Sequence, residues 1–149
     1  ESGVDIIQLF DTHSYQMDYS MNEKYSIQQI KKISREVKKK YPTIPIIYYT
    51  KNFQYNDHQI EKYINCLSLN SNVNLKEEAK FLKNNFCLQG NLDPLLLVEG
   101  GDTMVKEINN ILLNMKNNFF IFNLGHGVLP QTPIENVFKL IETVRNFEK

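Results

Sequence analysis

In the stretch FFIFNLGHGVLPQTPIEN (119–136), His126 stands between Gly125 and Gly127, just beyond an apolar, aromatic run. An imidazole can donate a hydrogen bond or carry a proton near neutral pH. Flanking glycines permit positive φ and let a ligand come close to backbone. The same residues also fit a turn histidine bonded to a backbone carbonyl, and both readings stand on the sequence. Asp11 and His13 lie two residues apart. On an extended strand they share a face and could pair, although a simple cap at a strand end asks no more of them. His58, in NDHQ, reads as an exposed residue at a polar helix start. QGNLDP (89–94) reads as a tight turn in which Asn91 and Asp93 cap backbone groups ahead of Pro94.

These residues need elements to position them. Five short apolar runs stand out: VDIIQLF (4–10), IPIIYYT (44–50), INCLSL (64–69), NFCLQG (85–90) and FFIFNL (119–124). They are rich in Ile, Val, Phe and Tyr and mostly continuous, as strands covered on both faces are. Helical patterns separate them. SIQQIKKISREVKKKY (26–41) repeats Ile27, Ile30, Ile33, Val37 and Tyr41 at helical spacing. TMVKEINNILLNM (103–115) does so with Val105, Ile108, Leu112 and Met115. LKEEAKFL (75–82) is a shorter case, and NDHQIEKY (56–63) is a further candidate. For the last helix, Thr132 and Glu135 spell a capping box with Pro133 at the first helical position. Val137, Leu140, Ile141 and Val144 then give its buried stripe. Lys38, Lys39 and Lys40 close the first helix, where cations complement the dipole.

The β-α order repeated five times implies parallel strands joined by right-handed crossovers. Two architectures fit: a complete doubly wound sheet, or the C-terminal portion of a (β/α)8 TIM barrel of five parallel β-α units. In both, function gathers at the C-terminal ends of the strands. Those ends carry Asp11, Thr12, His13 and Ser14; Lys51 and Asn52; Asn70 and Ser71; Gln89, Gly90, Asn91 and Asp93; and Asn123, Gly125, His126 and Gly127. Polar side chains at all five ends make a polar pocket mouth.

Composition narrows the function classes. The 149 residues suffice for a sizeable core, and 42% hydrophobic content is ordinary for a globular chain. Seventeen basic residues balance seventeen acidic ones, which argues for neither nucleic acid nor a membrane surface. No apolar run approaches the roughly 20 residues of a membrane helix, and no targeting segment is visible. Cys66 and Cys87 both lie in apolar runs, where a thiol acts as a small hydrophobe, and no CxxC pair suggests zinc. A reducing compartment suits them. GxGxxG, P-loop, GxSxG and HExxH patterns are all missing. The chain opens with Glu1 rather than Met, as expected of a piece of something longer.

At LQGNLDP (88–94) and NLGHGVLPQTPIENV (123–137) the sequence resembles the uroporphyrinogen decarboxylase family. VDIIQLFDTH resembles the family strand that ends in Asp/Glu-Ser-His, and PIIYYTK the strand that ends in Ala-Lys. The resemblance spans essentially the whole chain. It implies a (β/α)8 barrel of which residues 1–149, a single partial domain, supply the C-terminal part. It also implies a cofactor-free, metal-free decarboxylation in haem biosynthesis. Each of four pyrrole acetates of uroporphyrinogen loses CO2 and becomes a methyl group, giving coproporphyrinogen. Thr12, in place of the family serine, and His126, of the Gly-His-Gly motif, are the substrate-binding residues it implies, both hydrogen-bonding carboxylates of the tetrapyrrole. The family's aspartate and arginines lie upstream, so no catalytic residue can be assigned in this chain. A homodimer in the cytoplasm or a plastid is the implied setting, and residues 1–149 alone are expected to be inactive.

The sequence departs from the family pattern at SLNS (Ser68–Ser71), where Gly-Leu-Asp-Trp is usual, at TKNFQYND, and in the loop SYQMDYSMNEKY. Two alternatives follow. One is a divergent tetrapyrrole-binding module without decarboxylase activity. The other is the corrinoid-methyltransferase branch of the same barrel, which binds zinc through His and Cys. That branch places a cysteine where this chain has its Gly-His-Gly loop, and a His-x-Cys where this chain has Asn85 two positions before Cys87.

Overall fold

The computed structural model describes residues 3–51, 60–82 and 86–147. Asn52, His58 and Asn85 lie outside them, as does the first half of the candidate helix at 56–63, of which residues 60–62 form a 3-10 turn. The chain divides into two compact units, Glu1–Ser68 and Leu69–Lys149.

In the first unit, β1 (Ile7–Asp11) pairs in parallel with β2 (Ile46–Thr50), from Ile7 opposite Ile46 to Asp11 opposite Thr50. A helical stretch joins them, as parallel pairing requires. It starts earlier than its apolar spacing predicts. Residues Ser14–Gln16 form a 3-10 turn, and α1 (Tyr19–Asn22) begins where the sequence reads as loop. Asp18 caps α1, its carboxylate accepting from the Met21 N–H at 2.9 Å. A π-helical turn over Glu23–Ile27 then leads into α2 (Gln28–Lys40). Ile27 and Ile30 are buried as expected, but Ile33 is exposed and Ser34 is buried in its stead. Ile33 flanks the stripe that Ile27, Ile30 and Ser34 set at spacings of three and four. At the lysine end of α2, Lys38 Nζ donates to the Ile44 carbonyl, beyond the helix, at 2.6 Å.

The division falls within β3 (Cys66–Leu69), every residue of which is buried. In the second unit α3 (Leu75–Phe81) is capped by Asn74, whose side chain accepts from Lys76 and Glu77 N–H groups. Then come β4 (Cys87–Leu92), α4 (Pro94–Glu99), α5 (Gly101–Met115), β5 (Phe120–Leu124) and α6 (Ile134–Arg145). β4 and β5 pair in parallel from Leu88 opposite Phe120 to Leu92 opposite Leu124.

Burial on both faces holds for β2, β3 and nearly all of β4, but not for β1 or β5. Phe10 is 70% exposed, and β5 alternates between half-buried and exposed residues. On α5 the buried face is Met104, Ile108, Ile111 and Met115, whereas Val105 and Leu112 flank it half-buried. Apolar residues cover so wide an arc of this helix that periodicity locates its centre only to within one residue. No residue of α6 is fully buried: Val137, Leu140 and Val144 are half-buried and Ile141 is exposed.

The capping box does not form. Pro133 itself, with ψ 135, is the N-cap of α6, and no side chain caps it. A turn closed by Thr132 N–H to the Leu129 carbonyl, 3.0 Å, occupies the residues before it. The Thr132 hydroxyl is consequently buried away from the helix start, with no hydrogen-bond partner among the described residues.

Candidate functional site

Thr12 follows β1 directly and is half-buried in the turn that leads to the 3-10 segment. That turn is held on both sides. Ser14, fully buried, donates to the Asp11 carbonyl at 3.0 Å, and its hydroxyl lies 2.9 Å from that of Thr50 at the end of β2. The Asp11 carboxylate does not meet His13, which is exposed. It accepts hydrogen bonds from the Ser26 hydroxyl and, at 3.1 Å, from the Tyr48 phenol. Ser26 and Tyr48 are themselves 3.0 Å apart. Burial, first of all, holds the Tyr48 phenol above the usual tyrosine range, and the nearby Asp11 charge pushes the same way. Sequence reasoning missed this knot. Its one signal was a tyrosine inside a buried strand, which needs a partner for its hydroxyl. Lys51 Nζ, just past β2, sits 5.2 Å from the centre of the Tyr15 ring, so a cation stands at this end of the unit.

The second unit carries the other strand ends. β4 runs on through Leu92, so Asn91 is a strand residue rather than part of a tight turn. Its side-chain amide is buried and spans the turn after β3, donating to the Asn70 carbonyl at 2.8 Å and the Val73 carbonyl at 2.7 Å. Within that turn Asn70 Oδ1 accepts from the Asn72 N–H at 2.9 Å. Asp93 does cap locally as expected, accepting from Leu95 N–H at 2.9 Å, with Pro94 opening α4. Ser71, Asn91 and Asp93 share a polar cleft of about 470 Å³, which Lys76, Glu107 and Asn110 also line.

His126 is exposed on the loop between β5 and α6. Neither glycine beside it has the positive φ that the sequence suggested. Gly125 answers a different need. A Cβ there would stand 2.2 Å from the Ser71 nitrogen and 2.8 Å from its Cα, so only glycine lets β5 end against the β3–α3 turn. Around Gly127, among the described residues other than its chain neighbours, no atom lies within 4 Å of such a Cβ. Gly125 N–H donates to the Leu92 carbonyl at 2.8 Å, which fixes the root of the loop. The far end is fixed by Asn136 in the first turn of α6. Its amide donates to the Leu97 and Val98 carbonyls at 2.9 and 3.1 Å, at the C-terminal end of α4.

Thr12 and His126 belong to different units, and each is placed by its own. Both present hydrogen-bonding side chains beyond the C-terminal end of a parallel strand, where a carboxylate-bearing ligand could be received. Among the described residues, no group of His, Cys, Asp or Glu side chains is arranged to hold a metal ion, and no helix is long and apolar enough to cross a membrane.

Comparison with known proteins agrees across nearly the whole chain. The profile of the family described as uroporphyrinogen decarboxylase (URO-D) matches residues 1–147. The chain is similar to the uroporphyrinogen decarboxylase of Rhodospirillum rubrum, 37% identical over 147 residues, which cover 97% of this chain and 42% of that protein. To the Rickettsia bellii enzyme of the same name it is 36% identical, covering 99% of this chain and 44% of the relative. For the Rickettsia felis protein, also so named, the figures are 38% identity, 100% and 43%. The chain therefore spans roughly two fifths of the length of the curated relatives it matches. Its strand–helix alternation, its parallel pairings and this match together give the α/β class of the (β/α)8 barrel, and the chain belongs to the uroporphyrinogen decarboxylase family.

Proposed function

We propose that the full-length protein to which residues 1–149 contribute is a uroporphyrinogen decarboxylase, removing four acetate carboxyls to give coproporphyrinogen. The observation that carries this reading is the family match over residues 1–147. In it, His126 and Thr12 donate hydrogen bonds to carboxylates of the tetrapyrrole, His126 from an exposed loop and Thr12 from a braced turn. Loss of CO2 leaves an electron pair that the substrate's own pyrrole ring takes up once its α-carbon is protonated. The carbon left behind is then protonated to a methyl group, and the ring α-carbon gives up its added proton, which restores the pyrrole. The protein's tasks are to bind a polyanion, to stabilise a transient ring cation and to deliver protons. This chain's residues serve the first task. The groups for the second lie in the portion of the barrel upstream of residue 1, so residues 1–149 alone do not decarboxylate. The single (β/α)8 domain so completed works as a cofactor-free homodimer in the cytoplasm.

The test is an anaerobic incubation of the full-length protein with uroporphyrinogen III, followed by chromatography of the oxidised products. Seven-, six-, five- and four-carboxyl porphyrins should appear in turn. A hydrogen bond to a charged group contributes about 1.5–3 kcal/mol, so His126→Ala should lower kcat/KM roughly 10- to 100-fold. A folded protein that binds porphyrinogen but releases no product would instead point to a tetrapyrrole-binding module.

A further inference from the structure

Three backbone segments meet at the foot of the His126 loop, and one side chain fixes their arrangement. The β3–α3 turn runs from Asn70 to Val73, closed by Val73 N–H to the Asn70 carbonyl at 3.2 Å. Gly125 packs so tightly on this turn that a single methyl group would overlap the Ser71 backbone. The position of the turn therefore sets the position of Gly125, and His126 is the next residue. What holds the turn is Asn91. Its two amide hydrogens reach the carbonyls of Asn70 and Val73, one at each end of the turn, from a strand buried at all but its first residue. The Gly125 N–H completes the triangle on the Leu92 carbonyl, one residue beyond Asn91.

We infer that Asn91 is a positioning residue for His126: its amide bridges Asn70 and Val73, and through the close contact of Ser71 with Gly125 it sets where the imidazole stands. Asn91 acts through backbone and does not itself touch the substrate. The inference deepens the reading of His126 as a carboxylate donor and rests on it for its kinetic consequence, but its structural part stands alone. It also gives the SLNS departure a consequence. Ser71 meets Gly125 through backbone nitrogen and Cα, so the side chain at this position can change while the contact survives.

The experiment is a double-mutant cycle in the full-length protein. Displacement of a catalytic or binding group by about 1 Å can cost up to about 100-fold. Asn91→Ala should therefore lower kcat/KM about 10- to 100-fold, chiefly by raising KM. In a His126→Ala background the same substitution should cost less than about twofold, since the group it positions is already gone. Equal losses in both backgrounds would overturn the inference. Asn91→Ser, which keeps one donor, guards against a variant that fails to fold and should give an intermediate loss. A second readout needs no substrate. In protein carrying 15N-histidine, the ring resonances assigned to His126 should move in Asn91→Ser, and unchanged resonances would refute the positioning role. If His126→Ala alone leaves kcat/KM intact, the substrate-binding reading falls, whereas moved resonances would still uphold the positioning.

Discussion

Replacing Gly125 with alanine is a sharp test of the packing at the loop foot. The new Cβ would lie 2.2 Å from Ser71 N, 2.8 Å from Ser71 Cα and 2.9 Å from Asn70 C, whereas ordinary contacts begin at 3.4 Å. All three are backbone atoms, so no side chain can swing aside. The turn cannot retreat freely, because Asn91 ties both its ends. Gly125 cannot retreat either without stretching its bond to the Leu92 carbonyl. Overpacking of this kind costs about 1–3 kcal/mol. A weakened hydrogen bond adds about 1 kcal/mol. Because Gly125 lacks positive φ, alanine adds no backbone strain and restricts the unfolded chain, which returns about 0.4–1 kcal/mol. The net expectation is a loss of roughly 1–3.6 kcal/mol, read as a lower urea midpoint of the full-length protein at unchanged m. Gly127→Ala is the internal control. It has open space around its Cβ and ordinary φ, so it should be neutral or stabilise by up to about 1 kcal/mol. If Gly125→Ala is as stable as the parent, or if both substitutions destabilise alike, the steric account of the Gly-His-Gly motif is refuted.

Asn136→Ala removes two hydrogen bonds and leaves the Leu97 and Val98 carbonyls unmet at the end of α4. It should cost about 1–3 kcal/mol in the same unfolding experiment. Asp93→Ala, which strips the cap from a short helix, should cost about 1 kcal/mol. The Tyr48 phenol is held above its ordinary value of 10.0 by burial, so the folded protein keeps that proton longer than the unfolded chain does. Its contribution to stability is thus full below pH 10 and lost as pH climbs above it. Tyr48→Phe should flatten the fall in stability above pH 10. A spectrophotometric titration should show one tyrosine fewer among those that ionise late. Thr12→Val should lower kcat/KM by up to about tenfold, less than His126→Ala, since it removes a single hydroxyl from a braced turn.

The sequence was most legible where local chemistry decides structure. Continuous β-branched and aromatic runs marked all five strands, and helical spacing marked α2, α3, α5 and α6. Asp93 caps backbone ahead of Pro94 as the tight-turn reading expects, through a bond between neighbours in the chain, although the helix α4 that it opens was not read from the sequence. The resemblance at LQGNLDP and GHG led to the family, because those motifs are long and specific. Legibility failed wherever a distant segment decided. Thr132-Pro133-Ile134-Glu135 has the residues of a capping box, yet the turn closed on Leu129 uses the backbone differently and leaves Pro133 as the cap. Asn91 looked like a turn residue, because a sequence cannot show that its amide will find two carbonyls some twenty positions upstream. Ile33 and Ser34 exchanged places because spacing fixes a stripe but not which neighbour covers it.

Taken alone, the sequence determined the order of the five strands and of the longer helices, the placing of polar residues at strand ends and the family. These depend on side-chain type and on periods of two to four residues. Only the tertiary structure decided why Gly125 must be glycine, what holds Asp11 and what holds the turn beneath His126. Each depends on atoms from strands far apart in the chain meeting within about 3 Å, and no local pattern encodes that distance.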